Sequence, residues 1–82
     1  MNLKVLKALA DETRVRILGE LLKKDLYVSE IVPKVKKSQP NVSLALQKLA
    51  DAGLISAAKE GKNVRYTIQK RELVERLFAL LK

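Results

Sequence analysis

Gln39, Asn41 and Ser43 form a run of short polar side chains at alternate positions. Each can both donate and accept hydrogen bonds. An Asn or Gln amide can bond an adenine edge in two places, worth about 1–3 kcal/mol of discrimination when the geometry permits. Ser38 just before them can cap a helix and touch a phosphate together. Leu44 can touch a thymine methyl or pack, and the residues leave both roles open. Lys36, Lys37, Lys48, Lys62 and Arg65 surround this run. Their cations can neutralise phosphates and release counterions, which makes binding fall steeply with salt. Other chemistry finds little support. With no Cys and no His, the chain lacks thiolates, disulfides and the usual transition-metal ligands. Its acids are scattered and there is no Gly-rich phosphate loop, so no catalytic residue, metal or cofactor is expected and the chain reads as a non-enzyme.

The element that must present these groups is a helix over 38–52. Ser38 is its N-cap and Pro40 fits the first turn. Val42, Ala45, Leu46 and Leu49 recur at helical spacing as one apolar stripe. Gly53 ends the helix in the left-handed conformation. The opposite face carries Gln39, Asn41, Ser43, Leu44, Gln47 and Lys48, with no acid before Asp51. A capped start with few bulky groups is what a major-groove recognition helix needs. Upstream, Ser29 caps a short helix from Glu30 to Lys36, with Pro33 early in it. Short helix, tight turn and capped helix make a helix-turn-helix. Downstream, 54–59 and 64–69 read as strands, the second because Val64, Tyr66 and Ile68 alternate with Arg65, Thr67 and Gln69, with 60–63 as their turn and Tyr66 on the inner face. A basic hairpin after a recognition helix reads as a wing, with 59–65 on the DNA backbone or in the minor groove.

The remaining elements frame this unit. Leu3, Val5, Leu6 and Leu9 mark a helix over 3–10. Asp11 caps the next, to about Lys24, with Val15, Leu18, Leu21 and Leu22 inward and Ile17 beside them. Arg14 and Arg16 read as structural or surface charges. Asp25 to Val28 is an extended connector or one short strand. A helix over 71–82 is apolar around more than half its circumference. The fold class is mainly α with a small β-hairpin, a winged helix-turn-helix of about five helices plus a two-stranded wing, in one domain over 1–82. An 82-residue chain has a thin core, yet 48% of its residues are hydrophobic, which suggests a second copy as partner. The net charge is +8, and eight cations against two acids fall between Lys34 and Lys70. That points to a polyanion, double-stranded DNA. A protein-interaction module would need a neutral or acidic face beside the helix, and a single-strand or RNA binder more aromatics. No apolar run approaches the ~18 residues that span a bilayer, and no signal peptide is visible, so no membrane partner is expected and the chain reads as cytoplasmic.

Four segments, in order and spacing, resemble the ArsR/SmtB family of winged-helix repressors. They are Leu-Lys-Ala-Leu-Ala-Asp-Glu-Thr-Arg-Val-Arg-Ile-Leu (6–18), Ser-Gln-Pro-Asn-Val-Ser (38–43), Leu-Gln-Lys-Leu-Ala-Asp-Ala-Gly-Leu-Ile (46–55) and Glu-Gly-Lys-Asn-Val-Arg-Tyr (60–66). The resemblance implies a sequence-specific transcriptional regulator, usually a repressor, acting as a homodimer on a near-palindromic operator. It implies an interface on the first and last helices, here Leu3, Leu6, Leu73, Leu77, Phe78, Leu80 and Leu81. Two departures stand out. Tyr27 and Ser29 occupy the positions of the family's metal-sensing Cys pair, and no His is present for the other usual site, so metal response is not expected and the effector is unknown. Leu44 and Ala45 stand where the family often has polar or basic residues.

Overall fold

The computed structural model describes residues 3–80. The order is α1 (Leu3–Ala8), α2 (Glu12–Lys23), β1 (Leu26–Tyr27), α3 (Val28–Val35), α4 (Gln39–Asp51), β2 (Ile55–Glu60), β3 (Asn63–Ile68) and α5 (Arg71–Leu80).

Asp11 caps α2 as expected, its carboxylate accepting from the Arg14 N–H at 3.0 Å. Ile17, Leu18 and Leu21 are fully buried, while Val15 and Leu22 are only half-buried. The Arg14 guanidinium turns back on α1, donating to the Ala8 carbonyl at 2.8 Å and the Lys7 carbonyl at 3.0 Å. These carbonyls lie at the end of α1, where the helical ladder runs out, and the Lys7 carbonyl also accepts the Ala10 N–H at 3.2 Å. Arg14 is thus a structural charge.

The third helix begins two residues earlier than Ser29 as cap would have it. Glu30 reaches back to accept the Tyr27 N–H at 2.9 Å, so an acid in the first turn supplies the stop that a hydroxyl was expected to give. Pro33 consequently lies late in α3, not early, and costs one backbone bond. Lys36 takes φ +57°, and its N–H closes on the Val32 carbonyl at 3.0 Å. That left-handed residue turns the chain into α4.

The sheet has a third strand beyond the two-stranded wing, in the order β1-β3-β2, all antiparallel. Leu26 pairs with Tyr66 and Tyr27 with Arg65, so the connector after α2 becomes an edge of the sheet. The hairpin is also tighter than expected. Glu60 pairs with Asn63, leaving Gly61 and Lys62 as a two-residue turn. Gly61 takes φ +61°, which glycine at the first position of such a turn supplies without strain.

One core joins α1 through α5 and the sheet, from Val5 and Ala8 through Val42, Leu46, Leu49 and Leu54 to Val74 and Leu77. Leu77, nominated for a partner surface, is buried in the protomer's own core, because it lies one turn from Val74 on the inner side of α5. Leu73 and Phe78 pack partly against that core. Leu3, Leu6 and Leu80 are 63%, 52% and 80% exposed. Leu81 lies outside the described residues.

Candidate nucleic-acid interface

The start of α4 is built as its residues require. Ser38 Oγ accepts the Asn41 N–H at 3.3 Å, and Pro40 occupies the first turn. At the other end the Gly53 N–H reaches the Ala50 carbonyl at 2.9 Å and the Leu54 N–H reaches Leu49 at 3.1 Å. Gly53 takes φ +78°, so the helix closes in a Schellman motif. Val42, Ala45, Leu46 and Leu49 are buried. Their burial fixes the rotation of the helix and turns Gln39, Asn41, Ser43, Leu44, Gln47 and Lys48 to solvent. Asn41, Leu44 and Lys48 follow i, i+3, i+7 spacing and form one flank. Gln39, Ser43 and Gln47 follow i, i+4, i+8 and form the other. Leu44 is 55% exposed, which favours a surface role over packing. Gln47 was not nominated from the sequence. The periodicity that turned Gln39 outward applied to it equally.

The cations divide into two kinds. Lys36 and Lys37 are exposed in the turn before α4, and Lys62 is exposed at the hairpin tip. Arg65 is different. Its Nε donates to Glu60 at 2.8 Å and its Nη1 to Asp25 at 3.1 Å. Asp25 also accepts from the Thr67 hydroxyl at 2.7 Å, and Glu60 from the Tyr27 hydroxyl at 2.7 Å. This network ties the wing to the segment between α2 and α3. The Tyr27 hydroxyl and the Arg65 guanidinium together hold the Glu60 carboxyl below its ordinary value. The Glu60 carboxylate in turn raises the Tyr27 phenol and the Arg65 guanidinium above theirs. Of the five cations nominated for phosphate contact, Arg65 is therefore the one already neutralised within the fold.

Two clefts flank α4 on its Asn41–Lys48 side. One, of about 250 Å³, is lined by Asp11, Thr13, Arg14, Lys37, Asn41, Leu44 and Ala45. The other, of about 300 Å³, lies where α1 packs against α4 and includes Lys4, Lys7, Lys48 and Asp51. Thr13, Lys4 and Lys7 carried no sequence signal for this site. They lie far from α4 along the chain, and only packing brings them beside it. Among the described residues no cluster of acids, Cys or His could hold a metal.

The chain is similar in sequence and fold to known bacterial regulatory proteins. Residues 11–57 match the family model of the bacterial regulatory protein, arsR family. The chain is 40% identical over 62 residues to a probable mercury resistance operon repressor of Streptomyces lividans, covering 76% of this chain and 50% of that protein. It is 33% identical over 69 residues to the regulator KmtR of Mycobacterium tuberculosis, covering 84% and 53%. The chain thus spans about half the length of these curated relatives. A solution structure from Mycobacterium bovis, described as a homodimeric winged helix-turn-helix DNA-binding domain of a possible ArsR-family regulator, superposes with TM-score 0.82. It is 37% identical and covers 95% of this chain and 71% of that one.

Proposed function

The chain belongs to the ArsR family of bacterial regulatory proteins, and on that premise we propose that it is a sequence-specific double-stranded DNA-binding repressor acting as a homodimer in the cytoplasm. The observation that carries the reading is the outer face of α4. Five amide, hydroxyl or ammonium side chains and one leucine stand in solvent on a capped helix whose first turn holds no acid. In this reading Gln39, Asn41 and Ser43 meet base edges, with Leu44 available to a thymine methyl. Ser38, Lys36, Lys37 and Lys48 meet phosphates, as does Lys62 at the wing tip. Arg65 serves mainly to brace the wing. These cations give the face a polyanion's complement, which disfavours a pure protein-interaction role.

The exposed Leu3, Leu6 and Leu80, with part-buried Leu73 and Phe78, support self-association through α1 and α5. Tyr27 stands at the place that the resemblance gives to a metal-sensing Cys and donates its hydroxyl to Glu60 of the wing, which supports a bracing role at that position; the effector is left unassigned.

Selection of bound duplexes from a random pool at two salt concentrations tests the reading. The expected product is a palindromic consensus with half-sites about one helical turn apart. Sedimentation is expected to show a dimer at micromolar concentration. No enrichment above input at the lower salt would refute DNA recognition.

A further inference from the structure

The cleft between α1 and α4 holds four cations, Lys4, Lys7, Arg14 and Lys48, against the single acid Asp51. Arg14 is occupied by the Lys7 and Ala8 carbonyls and by Asp11. Among the described residues no ion pair within 4.0 Å is made by Lys4, Lys7, Lys48 or Asp51. Three ammonium groups without a close ion pair, around one concavity that holds a single carboxylate, leave an excess of positive charge that favours an anion from outside. The neighbouring cleft shares Arg14, holds one acid, Asp11, which that arginine already engages, and continues along the same flank past Leu44 and Asn41 to Lys37. Together they form a trough beside a helix about 20 Å long. A run of phosphates spaced along one strand matches a trough of that length better than a compact soluble anion does.

We propose that Lys4 and Lys7 of α1, with Lys48, grip the phosphates of the DNA strand that follows this flank of α4. The proposal rests on the DNA-binding reading above and deepens it by making α1 part of the DNA surface. Leu3 and Leu6 remain on that helix for a partner copy. Asp51 opposes the grip by repulsion.

The test measures affinity of the full chain for its selected duplex over a range of salt. Lys4 and Lys7 are exposed, so the Lys4→Ala/Lys7→Ala variant is expected to melt with the wild type. Its salt slope is expected to be shallower by about 0.9 per lost phosphate contact, about 3 to 4 per dimer. Lys4→Arg/Lys7→Arg should retain the wild-type slope, and Asp51→Asn should bind several-fold tighter. An unchanged slope in the alanine variant, with the wild type binding normally, overturns the proposal alone and assigns the cleft to a soluble anion or to solvent. A wild type that binds no duplex overturns this proposal and the functional reading together.

Discussion

Ser38 is asked to do two things, cap α4 and sit beside a phosphate, and substitution by Asp separates them. The cap bond to the Asn41 N–H is long at 3.3 Å and exposed. Ser38→Ala therefore belongs near the lower end of N-cap losses, about 0.5–1 kcal/mol. For a domain of this size that is a fall in melting temperature of about 2–8 °C. Ser38→Asp keeps an acceptor in place and adds a negative charge at the positive end of the helix, worth about 0.3–1 kcal/mol. No acid in the first turn competes with it. This variant should melt at or above the wild type. On DNA the sign reverses. A carboxylate about 4 Å from a phosphate costs about 1 kcal/mol in water-like surroundings. Two protomers bring that to about 2 kcal/mol, or about thirtyfold in Kd. Thermal melts followed by circular dichroism and titration of a labelled duplex by anisotropy read the two effects separately. Ser38→Asp binding as tightly as the wild type would refute the placement of the α4 start at the duplex. Ser38→Asp melting below Ser38→Ala would refute the capping role.

Further outcomes follow from single residues. Gln39→Ala should weaken binding to the selected duplex more than to random DNA, whereas Lys62→Ala should weaken both alike and lower the salt slope by about one per protomer. Equal losses on both DNAs for Gln39→Ala would remove that side chain from base readout. Gly53→Ala should cost about 1–2 kcal/mol, since a Cβ at φ +78° is strained while the nearest side-chain atom, Lys70 Nζ, is an unobstructive 3.7 Å away. A Gly53→Ala protein melting with the wild type would show that α4 does not end in that conformation. The Glu60 carboxyl titrates below its ordinary value when folded, so its contribution to the wing is complete above the ordinary carboxylate range and is lost as pH falls through the lowered value. The protection factors of the wing amides, taken relative to the intrinsic exchange rate at each pH, should therefore fall at acid pH in the wild type, with the step absent in Glu60→Gln. The same acid step in that variant would refute the assignment.

The helix α4 was legible because its determinants are local. Ser38, Pro40 and Gly53 each act on backbone within a turn of themselves, and the Val42–Leu49 stripe sets the rotation of the helix. The start of α3 was misplaced for a related reason. A Glu three residues into a helix and a Ser near its start are both valid stop signals, and the backbone geometry at Tyr27 chose Glu30. The extent of the wing was less legible. Alternation identified β3, and the turn before it set off β2, but two residues, Leu26 and Tyr27, are too few for a period to register.

Sequence alone determined the type and order of the helices and of the β2–β3 hairpin, the orientation of α4, the sign of the charge and the lack of Cys and His among these residues. These depend on residue identity or on neighbours within one turn. Tertiary structure alone decided which charges remain free. Arg65 and Asp25 are forty residues apart and meet only because β1 joins β3. Leu77 went inward and Leu80 outward because α5 docks on the side of Val74. Lys4 and Lys7 reached the flank of Lys48 only when α1 packed on α4. Charge neutralisation falls off with distance in space, and a linear chain carries no record of that distance until it has folded.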